Sequence, residues 1–228
     1  MVVPLFSGKS NRKELKMKTI NQLMLFLLAI VIMAAVGMAG CATTGMERST
    51  KAQTSMTEMD GNIKLLLVQL DATEASLREL VKPDNSDVKK AFQLFSENTS
   101  KLDQLEQSFT RHTNEMHTRG NDYFEEWQKE GDNYKNPRIQ KLSEQRRLEL
   151  SRTYGEIAIN SIGVKERLNA YVSDLKEIQT YLSNDLTPKG IQAIEPLTRE
   201  ITRKGSGLKY EIMDVQAAVN RANASMAQ

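Results

Sequence analysis

Apolar residues recur in this chain at alternating steps of three and four, in four separate stretches. The first runs Met56, Met59, Ile63, Leu66, Leu70, Thr73, Leu77 and Leu80. An average step of 3.5 describes a coiled-coil seam with a left-handed supercoil, and no stretch alternates as a strand would. The second seam is Val88, Phe92, Phe95, Thr99, Leu102, then Leu105 or Glu106, Phe109, Thr113, Met116, Gly120, Tyr123 and Trp127. The third runs from Leu150 through Tyr154, Ile157, Ser161, Val164, Leu168, Tyr171, Leu175 and Ile178 to Leu182. The last takes Ile191, Ile194, Thr198, Ile201, Gly205, Leu208, Ile212, Val215, Val219, Ala222 and Met226.

Turn signals separate the seams. Pro83-Asp84-Asn85 stops the first helix, and Ser86 or Asp87 can cap the second. Gly131-Asp132-Asn133 ends the second, and Asn136-Pro137 pairs an N-cap with proline at the first helical position. Thr187-Pro188 repeats that device. Pro196 should kink the last helix, and Gly205 with Gly207 should soften it. The expected fold is all-α: an elongated antiparallel coiled-coil bundle of about four helices with a long central hairpin, preceded by an N-terminal signal helix.

Short connections force antiparallel neighbours, and the central hairpin should run about 70 Å. With the first helix starting near Met56, the tip at Asp132–Asn136 should project past the bundle. That tip and the start of the first helix should share one end of the rod, with the Pro83 and Pro188 turns at the other. Glu125, Glu126, Glu130 and Asp132 enter the tip while Arg138, Lys141, Arg146 and Arg147 leave it. Antiparallel pairing would set these charges opposite one another.

Upstream lies a segment of another kind. Lys9, Arg12, Lys13, Lys16 and Lys18 precede an uncharged run from Leu23 to Cys41, closing on Met38-Ala39-Gly40-Cys41. A basic stretch, an apolar stretch of about 14 residues and small residues at a cut site describe a secretory signal. Met38, Ala39 and Gly40 before Cys41 resemble the bacterial lipobox, in which the cysteine takes a diacylglyceryl group and becomes the new N-terminus. The alternative is an uncleaved transmembrane anchor, since Leu23–Gly40 is at the lower edge of what spans a bilayer. Both readings put the residues beyond Cys41 on the outer side. The true start could equally be Met17. The expected organisation is a signal at 1–40, a lipidated tether at 41–55 and a helical domain at 56–228. Ala42, where an aspartate would mark retention in the inner membrane, points to the outer membrane facing the periplasm.

Residues 1–40 hold five of the 31 Lys/Arg and one of the 29 Asp/Glu, so the remainder carries 26 against 28. That slight negative balance offers no basic footprint for nucleic acid. Cys41 is the only cysteine, so once it is lipidated neither a disulfide nor a thiol catalyst is expected. His112 and His117 lie about 140° apart around a helix, so no metal is expected on them, and Glu115 does not rescue the geometry. Gly205-Ser206-Gly207-Leu208-Lys209 falls short of a phosphate-binding loop. No cofactor and no enzymatic activity are expected. The oddity is the aromatic group Tyr123, Phe124, Trp127 and Tyr134. It either fills the end of the hairpin or offers a contact to a partner or a membrane.

Asn121-Asp122-Tyr123-Phe124-Glu125-Glu126-Trp127, the stretch from Tyr134 to Tyr154 and Tyr181-Leu182-Ser183-Asn184-Asp185-Leu186 together resemble a family of predicted bacterial lipoproteins catalogued as a domain of unknown function. The resemblance implies an extended helical, envelope-located protein and supplies no activity to carry over. The expected role is a non-enzymatic spacer or adaptor, held at a membrane by its lipid and meeting an envelope protein. The alternatives are a bundle that binds a lipid or other apolar ligand, with Thr99, Thr113, Gly120 and Ser161 leaving gaps, and self-association.

Overall fold

The structure, a computed structural model, describes residues 44–83 and 85–227. Among these residues there are four helices: α1 (Gly45–Leu80), α2 (Val88–Gly131), α3 (Pro137–Asn184) and α4 (Pro188–Ala227). Each start is capped as its residues dictate. Thr44 Oγ1 accepts from Glu47 N at 3.2 Å and Asp87 Oδ1 from Lys90 N at 3.0 Å. Asn136 Oδ1 accepts from Arg138 N at 3.0 Å, with Pro137 opening α3, and Thr187 Oγ1 from Gly190 N at 3.1 Å. These acceptors satisfy amides that a helix start leaves without a partner.

The helices close a ring in which α1 packs on α2, α2 on α3, α3 on α4 and α4 back on α1. Cross-links fix the antiparallel sense. Glu58 meets Arg119 and Gln69 meets Asn98 between α1 and α2, and Asp103 meets Lys176 between α2 and α3. Asp174 meets Lys204 between α3 and α4, and Asp60 meets Gln216 between α1 and α4. The seams point inward almost without exception: Met56, Ile63, Leu70, Phe95, Phe109, Ile157, Leu168, Ile201 and Ile212 have no more than a trace of exposure. Glu106, not Leu105, takes the inner position in α2, its carboxylate accepting from Thr110 Oγ1 at 3.2 Å. All four helices and their core lie within Thr44–Gln228, one compact unit.

Three expectations change. Helix α1 begins at Gly45, so the stretch read as a tether is helical from there, with Arg48, Ala52 and Ser55 buried. Thr44 supplies a cap that the polar composition had concealed. Because α1 reaches back to the tip, where Arg48 pairs with Glu130, the hairpin does not project past α1. It passes only the end of α4, where Arg146 donates to the Ser225 carbonyl. The charges flanking the tip also do not pair across the hairpin. Glu126 pairs with Lys129 and Arg146 with Glu149, each within its own helix, while Glu130 goes to α1. An i,i+3 partner is already within reach before two helices meet, and a long side chain takes it. Helix α4 continues through Pro196, which is exposed.

The polarity of the rod agrees with the reading. The start of α1 lies beside the end of α2, and the two proline turns meet at the opposite end, where Pro83 and Pro188 line a common surface cleft.

Candidate functional site

The aromatic group sits at the tip and is largely absorbed by the hairpin. Tyr123 stacks at a tilt on Phe124 (5.1 Å) and Trp127 (5.4 Å), and Phe124 meets Tyr154 of α3 edge-on at 5.6 Å. Trp127 donates its indole N–H to Ser143 Oγ at 2.8 Å, tying α2 to α3. Burial raises the Tyr123 hydroxyl pKa, against lesser opposing effects from Ser49, Arg146 and Arg48. Tyr134 stands apart, exposed in the turn. Beside it Ile139 and Leu142 are exposed, interleaved with Lys135, Arg138 and Lys141.

A second cluster lies mid-bundle. Glu74 of α1 and Tyr171 of α3 are both buried, and both point at Gly205 of α4. A Cβ on Gly205 would come within 2.1 Å of Glu74 Oε1 and 2.8 Å of Tyr171 Oη. Neither of those oxygens has a hydrogen-bond partner among the described residues, although Glu74 Oε2 meets Arg78 at 3.5 Å. Burial raises the Glu74 pKa, opposed by Lys209 and Arg78 and helped by Asp71. Burial, then the Glu74 charge, raises that of Tyr171. Tyr171 also floors a groove of about 360 Å³ between α3 and α4, whose walls include Ala170, Gly207 and Leu208 and whose rim carries Arg167, Arg203, Lys204, Asp174 and Glu211.

The histidines separate as their spacing requires. His117 meets Asn121 at 3.4 Å on the surface of α2. His112 lies 3.8 Å from Glu115, and Glu58 comes from α1 to put three ligand atoms within 4.8 Å of one another. No i,i+n rule could have brought Glu58 there. Its other engagement is Arg119, at 3.7 Å, a cation that opposes a metal at this place.

Met38, Ala39, Gly40 and Cys41 lie outside the described residues. Among the described residues no helix is long and apolar enough to cross a membrane.

The family described as "Protein of unknown function (DUF2959)" matches residues 47–228. The chain belongs to that family. No curated protein and no solved structure matches it. The DUF2959 match spans all of the bundle but the first two residues of α1, so family membership and the four-helix architecture describe the same stretch of chain.

The Gly205 cluster was missed in the sequence. Gly205 was visible as a seam position without a side chain, and the signal that it receives one was the size of Tyr171 on a neighbouring seam. Glu74 gave less warning, since it lies one step beyond Thr73 on α1.

Proposed function

We propose that this member of DUF2959 is a cell-envelope lipoprotein, anchored through lipid on Cys41, whose rod acts as a non-enzymatic spacer or adaptor for another envelope protein. The observation that carries it is the run Leu23–Cys41 behind a basic stretch, ending in Met38-Ala39-Gly40-Cys41. Two or three acyl chains hold a protein stably at a bilayer, at about 0.8 kcal/mol for each buried methylene. Only Ala42 and Thr43 separate Cys41 from the cap of α1, a reach of about 11 Å at most. The tip, with α1 beginning beside it, is therefore the membrane-proximal end in this reading, and the proline turns face away. The tip residues suit that side: Lys135, Arg138 and Lys141 fit anionic headgroups, while Tyr134, Ile139 and Leu142 fit the interfacial zone. The absence of aspartate after Cys41 supports the outer membrane as the destination.

Radiolabelled palmitate fed to cells making the protein tests the anchor. The wild type takes up label and partitions with membranes, whereas Cys41→Ser takes up none. Label that persists in the variant, or never enters the wild type, overturns the reading.

The α3–α4 groove supports a second reading, a bundle that holds an amphiphile. Its volume and its apolar floor under a charged rim are of the kind that small ligands fill. Lipid that co-purifies with the bundle, and is lost when Gly207→Leu fills the groove, would favour this over the spacer.

A further inference from the structure

Helix α1 carries two seams. The inner one faces the core. On the opposite side lie Thr54, Glu58, Gly61, Leu65, Val68, Ala72, Ala75 and Glu79, again at alternating steps of four and three. Between Gly61 and Ala75 this outer stripe holds no charged residue, and Leu65 and Val68 are 61% and 69% exposed. A solvent-facing stripe normally carries charge. Here the heptad spacing is kept where no helix of the bundle covers it.

The neighbouring helix widens the surface. Lys209 of α4 engages Asp71 and Gln216 engages Asp60, so Tyr210 and Met213 stand level with Val68 and Leu65. They are 72% and 50% exposed. Met213, four residues after Lys209, shares the α4 face that meets the flank of α1.

We propose that the outer stripe of α1 is a self-association surface that takes the same helix of a second copy, antiparallel, about a two-fold axis; this sets the two Thr44 ends at opposite ends of the pair, so lipidated copies make it only from facing bilayers or lying along one. The flanking charges select both the occupant and the register. One flank of the stripe, Ser55, Asn62, Gln69 and Ser76, is buried or half-buried beside α2. The other flank, Thr57, Lys64, Asp71 and Arg78, is exposed, and its charges meet Asp60, Lys209 and Glu74 within the protomer, pairs at the surface that a second copy can share. When Leu65 packs against Val68 of the second copy and Gly61 against its Ala72, heptad geometry brings Lys64 opposite Asp71 of the second copy, twice by symmetry. A slip of one heptad sets Lys64 against Lys64, and a slip the other way sets Asp71 against Asp71 and Lys64 against Arg78. A parallel pair would face Lys64 with Gln69 and leave no charge matched. Only one arrangement joins opposite charges, and small residues at Gly61, Ala72 and Ala75 let the helices approach closely along it.

Sedimentation equilibrium of the chain from Thr44 onward, whose four helices enclose their own core, tests this without reference to the lipid. Wild type should associate to a dimer as concentration rises. Leu65→Ser with Val68→Ser should stay monomeric and, at concentrations where the wild type is also monomeric, melt where it does, because both side chains are exposed. Lys64→Asp alone and Asp71→Lys alone should each weaken association about a hundredfold by opposing like charges. Mixed together, those two variants should form a heterodimer. A monomeric wild type, an association that survives the serine pair, or a mixture that associates no better than its components overturns the proposal.

Discussion

Two glycines interrupt the inner seams, Gly120 in α2 and Gly205 in α4, and each receives a tyrosine from α3. The two notches share a geometry and differ in their chemistry. At the first, the Tyr154 ring lies where a Gly120 side chain would be, and its hydroxyl donates to the Met116 carbonyl at 2.9 Å with Ser55 Oγ at 3.5 Å. At the second, Tyr171 shares the space with the Glu74 carboxylate, and its hydroxyl has no hydrogen-bond partner among the described residues. One notch is a completed joint near the tip. The other holds a buried charge and an unsatisfied donor at the floor of a groove. A buried polar group adds stability only when its partners are in place.

The largest expected difference comes from filling the notches. Gly120→Ala puts a methyl 2.1 Å from a ring carbon of Tyr154, and the ring cannot retreat without losing its hydrogen bond. Overpacking of this kind costs about 1–3 kcal/mol, more than alanine's gain in helix propensity returns. Gly205→Ala meets first the free end of the Glu74 side chain, which can swing away, so its cost should be less than half as large. Urea denaturation of both variants decides; equal losses would mean the notches are mechanically alike.

Next comes the charge. Burial raises the Glu74 pKa, so the folded state binds that proton more tightly than the unfolded chain. The stability tied to this group is full below the ordinary carboxylate range and declines as pH climbs through the raised value. Glu74→Gln removes the buried charge and should stabilise the protein by about 1 kcal/mol at neutral pH. It should also flatten the melting profile between mildly acid and neutral pH. A variant that melts lower at neutral pH would show instead that the contact with Arg78 outweighs the burial.

The smallest effects separate the hydroxyls. Tyr154→Phe should lose about 1 kcal/mol with its hydrogen bond, while Tyr171→Phe should melt no lower than wild type, having lost nothing but an unpartnered oxygen. The two should differ at high pH as well. Burial pushes Tyr154 up to about 12, so the stability it contributes holds to the ordinary tyrosine range and is lost as pH rises towards that value. Alkaline melting of Tyr154→Phe should lack this decline.

Much of the architecture was legible because seam, cap and turn are local signals. The 3-4 spacing fixed which face of each helix turns inward, and Ser86-Asp87, of which Asp87 is the cap, and Asn136-Pro137 marked starts that the helices keep. The start of α1 was misread because small polar residues look the same in a tether and in a capped first turn. The tip charges were misplaced because pairing across two helices competes with pairing inside one. Of the aromatic group, Phe124 and Trp127 turn toward α3 because Tyr154 and Ser143 are waiting there, and no spacing rule within α2 could say so.

The chain by itself determined four helices, their order, their inward faces and a rod with the start of α1 and the hairpin tip towards one end, because period and punctuation act over a few residues. Only the closing of the ring decided what fills Gly120 and Gly205, which carboxylate is buried, and which face of α1 stays uncovered. Those outcomes depend on which side chains from distant stretches compete for one space, and such competition exists only once the helices have met.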